Sequence, residues 1–182
     1  MTAKAMARWG PALAGLVLLG WASVAGAGRV DLGKARVSFA GIGPVHFGMS
    51  LDEAEQALGT SLESRDSGEE STDCDIVVPK AGPAGLSFMT SSDTIVRLDV
   101  SKPGIRTSRG VGVGSSEGEV LAAYGKHLWI EPHTARATEG WHLMQIFGGD
   151  DRAKIVFETD GKRVVSYRAG QLPDVDFAEG CS

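Results

Sequence analysis

Cysteine, tyrosine and long apolar runs are all scarce in this chain of 182 residues. It has two cysteines and two tyrosines. Two cysteines are too few for the multiple bridges that hold small secreted domains together. They show no Cys-x-x-Cys spacing, which argues against a thiol–disulfide oxidoreductase. The four histidines, His46, His127, His133 and His142, form no His-x-x-x-His pair. A zinc site therefore has no recognisable spacing here. No Gly-x-Ser-x-Gly elbow is present, and neither cysteine sits in a known nucleophile setting. Gly41-Ile-Gly43 and Gly110-Val-Gly-Val-Gly114 lack the Gly-Lys-Ser/Thr ending of a phosphate loop and the βαβ setting of a dinucleotide fingerprint. No cofactor is expected. Positive charge is also short, with 18 Lys and Arg against 23 Asp and Glu.

The one long apolar run lies at the start, over residues 11–24. Lys4 and Arg8 precede it, and the small residues Ala25-Gly-Ala27 follow. This is the pattern of a secretory signal, with cleavage expected before Gly28. A membrane span would require roughly 20 apolar residues. No cysteine lies at the cleavage point to carry a lipid. Removal leaves 182 − 27 = 155 residues, enough for one domain or for two small halves sharing a core. Lys4 and Arg8 leave with the signal, so the charge becomes 16 − 23 = −7. Nucleic acid and anionic membrane surfaces are poor partners for such a chain. In an oxidising compartment Cys74 and Cys181 are expected to form one disulfide, with two free thiols as the alternative. The bridge would stabilise the fold by about 4–5 kcal/mol on the chain-entropy account.

What the sequence does contain is a repeat. Gly48-Met-Ser50-Leu-Asp-Glu53-Ala-Glu-Gln-Ala57-Leu-Gly59 returns 66 residues later as Gly114-Ser-Ser116-Glu-Gly-Glu119-Val-Leu-Ala-Ala123-Tyr-Gly125, with five of twelve positions identical. Ser50 and Ser116 are good helix N-caps, and Glu53 and Glu119 stand three residues on, as a capping box requires. Leu51, Ala54 and Leu58 make an apolar stripe in the first copy; Val120, Ala123 and Tyr124 do so in the second. Gly59 and Gly125 stand where left-handed C-caps are wanted. Alternating apolar residues after each helix read as strands: 74–78, 86–90 and 95–98 in the first half, 141–147, 155–159 and 164–167 in the second. Ser91-Ser92-Asp93 and Asp160-Gly161-Lys162 read as hairpin turns. Strands near 36–40 and 45–47 lead into the first helix, with a counterpart near 111–113. The acidic stretch 63–73 reads as a loop, and Ser101-Lys-Pro-Gly104 as the junction between halves. The expected fold is α+β: two tandem copies of a short helix packed on an antiparallel β-meander, over 28–103 and 104–182.

The passage Gly41-Ile-Gly-Pro44-Val-His-Phe-Gly48-Met-Ser-Leu-Asp-Glu53-Ala-Glu-Gln-Ala-Leu-Gly59 resembles the opening motif of small bacterial outer-membrane assembly lipoproteins of the SmpA/OmlA type. In those proteins a strand ends in Gly-Met-Thr/Ser and an acidic capped helix ends in Leu-Gly. Two such units in tandem resemble the β-lactamase inhibitor protein architecture, in which two sheets form a concave surface that grips another protein. The chain departs from the lipoprotein pattern by lacking the acylated cysteine. The resemblance implies a non-catalytic envelope protein that binds protein.

Strand 141–147 carries apolar side chains on both faces, Leu143 and Phe147 one way, Met144 and Ile146 the other. A strand with one wet face alternates instead. Either both faces are covered by the protein, or one meets a partner. Aromatics and Met are enriched at the centres of interfaces. Trp141, His142, Met144 and Tyr167 are therefore the expected partner-binding group, although Trp141 and His142 point opposite ways on a regular strand. No catalytic or metal-ligating residue is expected. The reading is a periplasmic or secreted protein-binding module, an inhibitor or immunity-type factor acting on another envelope or secreted protein. An envelope assembly or stability factor is the alternative within binding, and a small secreted hydrolase the alternative outside it. No stable membrane insertion is expected after signal cleavage.

Overall fold

The computed structural model describes residues 30–65, 73–149, 151–178 and 180–181. The expected signal over 1–27 and residues 66–72 of the acidic stretch lie outside them. Three short strands open the described chain: β1 (Arg36–Ser38), β2 (Gly41–Ile42) and β3 (Val45–His46). Helix α1 (Leu51–Leu58) follows, then β4 (Leu62–Ser64), β5 (Cys74–Pro79), β6 (Leu86–Ser91) and β7 (Thr94–Val100). After β8 (Arg106–Thr107) and α2 (Glu117–Tyr124) come β9 (Leu128–Pro132), β10 (His142–Phe147), β11 (Ala153–Thr159) and β12 (Val164–Gln171).

Both helix starts form as their residues dictate. Ser50 Oγ accepts from Glu53 N at 3.2 Å, and Glu53 Oε2 accepts from Ser50 N at 2.9 Å. Ser116 and Glu119 repeat the arrangement at 3.2 and 2.7 Å. Each pair satisfies backbone N–H groups that a helix start leaves open. The helix ends differ. Gly59 adopts the left-handed cap (φ 66°, ψ 27°), whereas Gly125 does not (φ 58°, ψ −135°) and leads into a 3-10 turn over Gly125–His127.

The expectation of two tandem helix-on-sheet copies is overturned. The protein is mostly β, and the four strands that directly follow each helix belong to one antiparallel sheet of eight, in the order β4-β5-β6-β7-β12-β11-β10-β9. The join is between β7 and β12, where Val100 faces Tyr167, Asp99 faces Arg168, Leu98 faces Ala169 and Arg97 faces Gly170. A second sheet of four, β3-β2-β1-β8, ties the N-terminal strands to β8 through a parallel pairing of β1 with β8. The helices are too small to cover a sheet each. At eight residues apiece they contribute only Ala54, Leu58 and Val120 as fully buried side chains.

Strand pleating gives the large sheet two unlike faces. Its inner face carries the rows Val77–Phe88–Leu98–Ala169–Ile155–Ile146 and Val100–Tyr167–Phe157–Met144. These join Val37, Ile42, Val45, Ala54, Leu58 and Val120 in one hydrophobic core. The rings of Tyr124, Phe157 and Tyr167 stack in sequence, with centroids 5.9 and 5.4 Å apart, and anchor α2 on that face. The Tyr167 hydroxyl donates to the Ile105 carbonyl at 3.2 Å. The outer face is covered in part by the C-terminal strap beyond β12. A disulfide between Cys74 and Cys181 holds the strap, closing 107 positions. Val175 of the strap is fully buried.

Candidate functional site

The four residues expected to form a partner-binding group are separated by the fold. Met144 and Tyr167 lie on the inner face and are 1% and 2% exposed, so neither meets a partner. Their apolar character serves the core. Trp141 is half-buried ahead of β10, with the Arg136 guanidinium 4.3 Å from its ring centroid and His133 edge-on at 6.2 Å. His142 ties α2 to the sheet. Its Nδ1 lies 2.8 Å from Glu117 Oε1, and the buried Thr159 hydroxyl donates to the same oxygen. Glu117 is the first residue of α2, where a carboxylate also favours the helix dipole. These contacts make His142 a clamp.

Two features of the outer face stand out instead. The first is the free edge at β9. Trp129 is 72% exposed and Ile130 50% exposed on that strand, and Phe147 at the end of β10 is 40% exposed. Trp129 faces Gln145 across the ladder, which places Trp129 on the same side of the sheet as Phe147 and Leu143. Ile130 faces Met144 and so points to the opposite side. The edge strand therefore presents large apolar side chains both above and below its outer backbone edge. Residues 128–132 were not recognised as a strand from sequence. The signal was present as Leu-Trp-Ile, but it was short and flanked by His127 and His133.

The second feature is a polar ladder under the strap. Arg97, Lys154 and Arg168 stand on β7, β11 and β12, and are 4%, 5% and 6% exposed. Arg97 grips both oxygens of Asp99, at 2.9 and 2.6 Å, and donates to the carbonyls of Phe177 and Asp174. Arg168 donates from Nε to the Val175 carbonyl and from Nη1 to Glu158 Oε1, both at 2.7 Å. Lys154 pairs with Asp176 and donates to the Gln145 amide oxygen Oε1 at 2.7 Å. Three basic side chains buried this far are stable because each meets a carboxylate or a carbonyl. They fasten the strap. The ladder was missed from sequence because lysine and arginine on a strand read as solvent-facing residues, and only the strap buries them.

Between the strap and β6, β7 and β12 lies a cavity of about 290 Å³. Arg65, Ser87, Arg97, Asp99, Glu158 and Arg168 supply its polar lining. Ser87, Asp99 and Arg168 are direct neighbours across three strands. Among the described residues no group of three or more His, Cys, Asp or Glu side chains is placed to hold a metal ion.

No protein-family model matches the chain, and no curated protein matches it. Among solved structures it is similar to the uncharacterized protein YfeY from Escherichia coli. The two share 14% identity with a TM-score of 0.45, over 75% of this chain and 99% of the other. At that level the likeness assigns neither fold nor activity.

Proposed function

We propose that the chain is an exported, non-catalytic module that binds another envelope or secreted protein through the free edge of its large sheet. The observation that carries this reading is the exposure of Trp129, Ile130 and Phe147 at β9 and β10. Free sheet edges are pairing templates, and proteins ordinarily blunt them with charge or cover. On β9 itself, among the described residues, only Glu131 and the terminal Pro132 do so. An extended segment of the partner pairs with β9 as a ninth strand, with Trp129 packing on one side of it and Ile130 on the other. Sealing Trp129 alone removes on the order of 150 Å² of apolar surface, about 4 kcal/mol before ordering costs.

Export is supported by the leader pattern over 1–27 and by the Cys74–Cys181 bridge, since disulfides persist in oxidising compartments. Among the described residues no helix is long and apolar enough to cross a membrane. An inhibitor or immunity-type role follows the same contact: a strand added at β9 ties up a segment of its target.

The test is a pull-down from periplasmic extract with residues 28–182, beside the double variant Trp129→Ser/Ile130→Ser. The wild type is expected to retain one protein saturably, and amide exchange in β9 to slow in the complex. The variant should bind at least about tenfold more weakly. Equal retention by both forms, or no retention at micromolar bait, overturns the proposal.

A further inference from the structure

We propose that the cavity under the C-terminal strap binds a small organic carboxylate. It is distinct from the β9 edge: Ser87 on β6 and Trp129 on β9 are five strand spacings apart on the same face, about 24 Å.

Unused donors in the cavity point to an acceptor. A guanidinium has five N–H groups. Arg168 commits one to Val175 and one to Glu158, and among the described residues none of its Nη2 hydrogens has a partner. Its side chain is 7% exposed. Ser87 is 3% exposed, and its hydroxyl likewise meets no partner among the described residues. Both residues line the cavity. Neither donor is sealed from solvent, so an acceptor that enters the cavity meets both.

Among the described residues each oxygen of the two lining carboxylates already accepts one hydrogen bond. Both Asp99 oxygens take Arg97, while Glu158 takes Arg168 on Oε1 and the Ser166 hydroxyl on Oε2 at 3.0 Å. Among the described lining residues, three guanidinium groups, of Arg65, Arg97 and Arg168, stand with two carboxylates, of Asp99 and Glu158. The excess of one positive charge suits a single negative charge on the ligand. A planar guanidinium edge matches a planar carboxylate through paired N–H···O bonds. A carboxylate takes the room of one or two waters, about 30 Å³ each. The rest of the space is bounded by Ile76 and Ala178, which fit a short apolar body. A free small acid and the C-terminal carboxylate of a peptide share this chemistry.

The experiment titrates oxidised residues 28–182 with N-acetylvaline, with N-acetylvalinamide and with a tripeptide ending in a free valine carboxylate, followed by calorimetry and backbone NMR. The acid is expected to bind saturably, at least tenfold tighter than the amide, with shifts clustered at Ser87, Asp99 and Ser166. Saturation by N-acetylvaline identifies free acids as ligands; saturation by the tripeptide alone identifies a chain terminus. Arg168→Lys keeps the charge but loses the planar edge, and should weaken binding about tenfold. Because Arg168 also holds the strap, Ser87→Leu is the second variant. It fills the cavity from β6 and leaves the hydrogen bonds that hold the strap in place, and should abolish binding while leaving the urea midpoint unchanged. Equal affinity for acid and amide, saturation by neither acid, or undiminished binding to a folded Ser87→Leu protein overturns the proposal.

Discussion

Removing the Cys74–Cys181 bridge perturbs the unfolded chain far more than the folded one. Without the bond, the strap keeps its other anchors: Arg97 on the Phe177 and Asp174 carbonyls, Arg168 on Val175, Lys154 on Asp176, and the buried Val175 side chain. The native state therefore changes little. The unfolded chain, however, regains the freedom of a loop closed over 107 positions. On the chain-entropy account that freedom is about 16 cal/mol/K, or about 4.8 kcal/mol at 25 °C, and measured losses run at about 2–5 kcal/mol. The double variant Cys74→Ser/Cys181→Ser avoids a lone reactive thiol. With a urea slope of about 2 kcal/mol/M, its midpoint should fall by about 1–2.5 M with the slope raised only slightly. Urea titrations by tryptophan fluorescence and far-UV circular dichroism check this, with the reduced wild type beside the variant. A midpoint shift under about 0.5 M would refute the reasoning, because the closed loop would then contribute little to the unfolded state.

Three further outcomes are expected. Tyr167→Phe leaves the buried Ile105 carbonyl without its hydroxyl donor and should cost about 1–2 kcal/mol, a Tm drop of about 2–8 °C by calorimetry; an unchanged Tm rules out a net contribution from that bond. Burial pushes the phenols of Tyr124 and Tyr167 up, and these are the two tyrosines of the chain. Unfolded tyrosine ionises near pH 10, so their contribution is fully present below about pH 10 and is lost as pH rises further, since only the unfolded state then releases protons. Phenolate absorbance should accordingly appear together with alkaline unfolding, and its appearance at pH 10 with a native circular dichroism spectrum would contradict this. Ser50→Ala and Ser116→Ala each remove a capping oxygen and should each cost about 1 kcal/mol. Their effects should add to about 2 kcal/mol in the double variant, because the caps share no partner; a double variant no worse than either single one would show the caps to be coupled.

How much of this was legible in the sequence depended on the range of the interaction. The capping boxes at Ser50 and Ser116 are set within four residues, and both form as read. The hairpin between β6 and β7 is equally local: Ser92 and Asp93 take the positive φ angles that a tight turn demands. The Cys74–Cys181 bridge was readable because only one pairing existed. The sheet join was not readable. Pairing β7 with β12 needs only that two alternating strands meet, and alternation carries no label for its partner. Read as separate meanders, the same strands give two small sheets; paired through Arg97–Gly170 and Val100–Tyr167, they give one. Burial of the polar ladder was hidden for the same reason. Arg97, Lys154 and Arg168 look solvated until a strap from elsewhere in the chain crosses them. The displaced site reading follows too. Met144 and Tyr167 were grouped with Trp141 and His142 by residue type, whereas the pleat sends them into the core.

β12 is the last strand in sequence, yet it stands inside the sheet, with four strands on one side and three on the other. Until Val164–Gln171 is available, β7 ends in an open ladder and the core lacks Tyr167 and Ala169. The first meander cannot finish folding early, however favourable its own turns and caps. The order of arrival thus works as a timer. The native sheet cannot close until residue 171 has left the ribosomal exit tunnel.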